Sequence, residues 1–154
     1  MKLLESDESG QLVLVVGYDG TEPAERALRS AGDMLRDRPG QLEVVFVAHL
    51  PSTVSFAPQA LATGREGLDR EAQDLEAKAE ESLRGIDVKW HFQLRNGEIA
   101  FELIHAGQEQ RDAAGPGTRV VLVVGGSAHK IDRYLNSTPA RVIRQDRFEV
   151  VVVP

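Results

Sequence analysis

The chain has no cysteine. Disulfides, thiol nucleophiles and cysteine-ligated zinc or iron–sulfur sites are thereby excluded. Aromatic residues are scarce, 5 % of 154, with one Trp, so the stacking platforms of single-strand nucleic-acid binders have little to be built from. Positive charge is in deficit: 18 Lys and Arg stand against 24 Asp and Glu, a net charge of −6. That balance disfavours nucleic acid and anionic membrane surfaces as partners. No run approaches the roughly 20 apolar residues that cross a bilayer. The first residues carry Glu5, Asp7 and Glu8 against Lys2, which suits neither a signal peptide nor a basic targeting arm. Residues 1–11 are read as a flexible acidic segment ahead of one domain at 12–154, and the cytoplasm is the expected compartment.

Hydrophobic residues make up 42 % and charged residues 27 %, the composition of a globular domain able to bury roughly two thirds of its unfolded surface. Leu12 to Val16 is continuously apolar, as a strand buried on both faces must be. Thr21 is placed to cap a helix, with Pro23 in its first turn, and Ala24, Ala27, Leu28, Ala31 and Leu35 follow on one face. A second strand is expected over 42–48, a loop over 49–64 and a helix over 66–85. A third strand is expected over 88–94, less uniformly apolar and nearer a sheet edge. A helix should start at Asn96-Gly97-Glu98, and further strands lie at 119–124 and 148–153. Between the last two, a short helix is expected near Ile131–Leu135. Another begins at Ser137-Thr138-Pro139, with Thr138 as cap. Strand and helix alternate throughout. The predicted fold is therefore α/β: a single-domain three-layer sandwich around a five-stranded, mainly parallel, doubly wound Rossmann-like sheet.

In such a sheet, ligands bind outside the carboxyl ends of the strands. Asp19 stands at the tip of the most buried strand, either to hydrogen-bond its own turn or to accept from a ligand. Gly125-Gly126-Ser127 closes the fourth strand. Ser137 and Thr138 offer hydroxyls and free N–H groups that either cap a helix or cradle phosphate. Lys130, Arg133 and Arg141 are solvent-facing charges that could also complement an anion. There is no dinucleotide fingerprint, no phosphate-loop motif and no nucleophile elbow. His49, His91, His105 and His129 lack metal-ligand spacing; the expectation is no metal and no assigned catalytic residue.

The stretch from Val15-Val16-Gly17-Tyr18-Asp19-Gly20-Thr21 through Leu28 resembles the opening of the universal stress protein family. So do Leu94-Arg95-Asn96-Gly97-Glu98-Ile99, Val121 to Gly125, and Asn136-Ser137-Thr138 through Val150-Val151-Val152-Val153-Pro154. The resemblance implies an adenine-contacting Asp at Asp19, a backbone contact near Val45, and phosphate contacts at Gly125, Ser137 and Thr138. In the family's ATP binders, two further glycines complete the phosphate loop. Here Ala128 and Asn136 occupy those places and the segment between them is shorter. A phosphate cradle needs glycine where backbone approaches oxygen, so the chain resembles the branch with a degenerate ATP motif. The implied function is a non-enzymatic regulatory or protective stress-response protein without conventional ATP binding. The alternative is an ATP- or AMP-binding switch with at most weak ATPase activity. A homodimer through the C-terminal strand and a protein partner are implied as well.

Overall fold

The computed structural model describes residues 11–48, 58–126 and 148–154, with side-chain surroundings in the second helix given from Gly64 onward. The strands are β1 (Leu12–Gly17), β2 (Gly40–Ala48), β3 (Lys89–Asn96), β4 (Arg119–Gly125) and β5 (Glu149–Val153). The helices are α1 (Glu22–Met34), α2 (Pro58–Ser82) and α3 (Ile99–Ala114). The five strands lie in the order β3-β2-β1-β4-β5, and each neighbouring pair is parallel. The predicted α/β sandwich is what forms.

β1 is central because it can be: Val13, Leu14, Val15 and Val16 are all buried, and a strand with helices on both faces has no place for a polar residue. Its side chains alternate between two cores. Leu14 and Val16 join Leu42, Val44, Val121 and Val123 under α1 and α2. Val13 and Val15 join Val45, Val120 and Leu122 under α3. Each fully buried valine or leucine contributes about 1.5–3 kcal/mol of transfer free energy. β3 lies at one edge of the sheet, as its mixed composition foretold, and alternates between exposed and half-buried residues.

α1 starts where expected. Thr21 is extended, and its Oγ1 accepts from the Ala24 N–H at 3.4 Å. Glu98 performs the same service for α3, its two carboxylate oxygens accepting from Ala100 N–H at 3.4 Å and Phe101 N–H at 3.0 Å. Two expectations need correction. The helix expected to begin after Gly64 begins at Pro58. Proline suits the first helical position, and a glycine inside a long helix costs about 1 kcal/mol relative to alanine without ending it. β3 runs on to Asn96, which pairs in register with Ala48. The segment 1–10, the short helix expected near Ile131–Leu135 and the helix start at Ser137-Thr138-Pro139 lie outside the described residues.

Candidate functional site

The chain leaves β1 towards β2 on one side, and β4 and β5 lie on the other. Between the departing connections a crevice opens at the carboxyl ends, as the strand-order reversal requires. Its volume is about 150 Å³. Gly17 and Gly125 form its floor, while Ile99, Ala100 and Leu103 of α3 form one wall. Val45 and Val47 of β2 and Leu122 and Val124 of β4 line the interior, and Val150 and Val152 of β5 close the far side. The rim is the β1–α1 turn, where Asp19 and Thr21 are the exposed polar residues.

Small residues at the floor are a packing requirement. A Cβ on Gly125 would stand 2.1 Å from the Pro23 carbonyl oxygen, so the end of β4 touches the backbone of the first turn of α1. A Cβ on Gly17 would meet Leu103 Cδ1 at 3.2 Å. Gly125 thus has a structural reason to be glycine, in addition to the phosphate contact the family resemblance implies.

Asp19 is exposed at the rim. Its Oδ1 accepts from the Thr21 N–H at 3.1 Å and from the Thr21 hydroxyl at 2.5 Å, the turn-forming arrangement expected of aspartate. No described residue donates to Oδ2. Turn formation therefore occupies one oxygen and leaves the carboxylate at the cleft mouth. Val45 is buried and supplies a wall side chain, and its carbonyl already accepts from the Tyr18 N–H at 2.9 Å. Ser137 and Thr138 lie outside the described residues, as do Ala128, Lys130, Arg133, Asn136, Arg141, His49 and His129. His91 is half exposed on β3, its Nδ1 3.0 Å from Glu43 Oε1. His105 meets the Phe101 ring edge-on at 4.4 Å. Among the described residues, no three His, Asp or Glu side chains gather as metal ligands would.

Sequence reasoning missed the polar cluster behind the rim. Tyr18 is buried, and its hydroxyl donates to Glu25 Oε1. The Ser82 hydroxyl donates to Glu25 Oε2. Lys78 Nζ donates to the Gly20 carbonyl at 2.6 Å and lies 3.8 Å from Glu25 Oε1. Burial first, and then the Glu25 hydrogen bond, push the Tyr18 phenol above its ordinary range, so it is a neutral donor at physiological pH. No local pattern signals this cluster, because Glu25 and Ser82 are separated by 57 positions.

The cleft therefore combines an apolar interior with one carboxylate at its mouth. It can enclose a flat, largely apolar group and accept a hydrogen bond from an amine on that group. At its rim the Thr21 hydroxyl is hydrogen-bonded to the Asp19 carboxylate, a pairing that serves the turn and the cap of α1.

Comparison with known proteins agrees with this architecture. A universal stress family protein from Burkholderia pseudomallei has a TM-score of 0.57 to this chain and 23 % identity, over 92 % of this chain and 95 % of that one. A universal stress protein in complex with cAMP gives a TM-score of 0.58 at 18 % identity, over 94 % and 97 % of the two chains. One from Archaeoglobus fulgidus in complex with dAMP gives 0.50 at 18 % identity, over 94 % and 98 %. No curated protein matches the sequence significantly. The sequence model of the universal stress protein family matches residues 13–154, and the chain belongs to that family.

Proposed function

We propose that this chain is an adenine-nucleotide-binding regulatory protein, whose cleft takes the base and whose occupancy is the signal. The observation that carries this reading is the apolar crevice of about 150 Å³ with Asp19 at its mouth. Apolar cavities of about that volume take up a flat ring such as benzene, and an open crevice has room for the second ring of a purine. Asp19 is the acceptor for the adenine amine, with Val45 beside the base. Gly125, Ser137 and Thr138 are the residues proposed to face the phosphate end. The structures of this fold solved with cAMP and dAMP support the choice of base.

Ala128 and Asn136 replace loop glycines, so the ligand is held mainly through its base rather than its phosphates. This favours AMP or cAMP over ATP and supports membership of the branch with a degenerate ATP motif. Regulation rather than turnover is part of this proposal, which assigns no residue a catalytic role. The β5 strand at the sheet edge, with Val150 41 % exposed, supports a homodimer formed through that strand, since an apolar edge left bare invites pairing. Among the described residues no helix is long and apolar enough to cross a membrane.

Calorimetry of freshly purified protein with AMP, cAMP and ATP tests the reading. The expected result is 1:1 binding of the monophosphates, tighter than ATP. Absence of binding by all three would return the chain to the nucleotide-free regulatory reading.

A further inference from the structure

Helix α2 reaches the turn that carries Asp19. Leu75, Lys78, Ala79 and Ser82 are three and four residues apart and so share one helical face. Gly20 has φ +77°, and a Cβ there would stand 2.5 Å from Leu75 Cδ2. The Gly20 carbonyl accepts from Lys78 Nζ at 2.6 Å. On the other side of Asp19, the Tyr18 hydroxyl is held by Glu25, which Ser82 of α2 also engages. Both chain neighbours of Asp19 are thus tied to α2, Gly20 directly and Tyr18 through Glu25. Neither Lys78 nor Glu25 lines the cleft.

From these contacts we infer that Lys78 and Glu25 are positioning residues, clamping the Asp19 turn so that the site distinguishes a base bearing an amine from one bearing a carbonyl; the inference rests on the adenine reading above. Asp19 is exposed, and its own described hydrogen bonds reach only to Thr21. An exposed carboxylate free to move would order itself at a cost to meet an amine and swing into solvent to escape a carbonyl, so it would separate the two weakly. Discrimination needs the acceptor held at one place before the ligand arrives, so that its ordering is complete on folding and not demanded on binding. The clamp also makes the site responsive to α2: any partner that shifted this helix would loosen the turn at the cleft mouth.

The test uses the full chain with AMP and with inosine monophosphate, which carries a carbonyl oxygen in place of the amine. Lys78→Met keeps the stem and removes the charge and the donor. We expect its AMP affinity to fall about five-fold while inosine monophosphate binding is unchanged, the scale of one lost hydrogen bond. Amide exchange at Gly20 and Thr21 should quicken, and Lys78→Arg should restore both properties. Glu25→Gln, which preserves shape, supplies a second variant with the same expected loss of selectivity. An unaltered AMP preference in both variants overturns the clamp and leaves the adenine reading standing. Equal weakening of both nucleotides also overturns it, because general destabilisation would do that. If the unaltered protein binds neither nucleotide, the adenine reading fails by itself. The selectivity role falls with it, and unchanged turn exchange in Lys78→Met would overturn the clamp itself as well.

Discussion

The sheet face beneath α3 is built in two ways. Towards β4 and β5, short apolar side chains meet the helix: Leu103 packs with Leu122 and Val45, and a crevice remains. Towards β3, long polar side chains fill the space. Glu43 is buried, and its carboxylate accepts from Gln41 Nε2 at 3.2 Å and Gln93 Nε2 at 3.3 Å, with His91 Nδ1 at 3.0 Å. Arg95 donates to Glu102 at 3.2 Å and makes two hydrogen bonds to Glu109 at 2.9 and 3.2 Å. One region satisfies its polar groups internally and is closed. The other holds few polar groups and stays open. A ligand site in this fold is therefore marked by where side chains are too short to fill the wedge, and not by a cluster of charge.

Breaking the floor of the open region should have the largest effect. Gly125→Ala drives a Cβ onto the Pro23 carbonyl and should cost about 3 kcal/mol, the upper range for overpacking. At roughly 2–4 °C per kcal/mol for a chain this size, thermal unfolding should show a drop of about 6–12 °C. Breaking the closed region comes next. Glu43→Leu leaves Gln41 and Gln93 without this acceptor and should cost about 2 kcal/mol in denaturant unfolding, with AMP affinity untouched. Asp19→Ala should do the reverse. It should weaken AMP about ten-fold, or about 1.4 kcal/mol, as read by calorimetry, with a smaller change in unfolding. An unchanged affinity would remove Asp19 from the amine contact.

The smallest effect concerns pH. The Arg95 hydrogen bond holds the Glu109 carboxyl below its ordinary value, burial opposing it slightly. A depressed carboxylate contributes stability that is complete above its unfolded value and is lost as pH falls through the folded one. Glu109→Gln should remove that part of the acid dependence. Because the Glu109 side chain is 61 % exposed, the difference should stay below about 0.5 kcal/mol, measured by unfolding at pH 6 and pH 3.

The fold was legible because its determinants are local. The apolar run of β1, the Thr21 cap and the mixed composition of β3 each report their own surroundings. Gly64 misled about the start of α2, since a glycine in a helix and a glycine in a loop look alike until packing chooses. The rim at Asp19 was legible from its place at a strand end. The apolar walls were readable as core residues, yet nothing in their spacing said that Leu103 and Val152 would stand apart far enough to leave a crevice. The Tyr18–Glu25–Ser82 cluster was illegible for the same reason: it is made by docking α2 against α1, and neither sequence segment records its partner.

The most direct test is a methyl-resolved NMR titration of the protein with AMP. Base binding in the crevice predicts saturable shifts of the methyls of Val45, Leu103, Val124 and Val152, while Leu28 and Leu83 beneath α1 and α2 stay still. No shift, or shifts confined to residues away from the crevice, would contradict it.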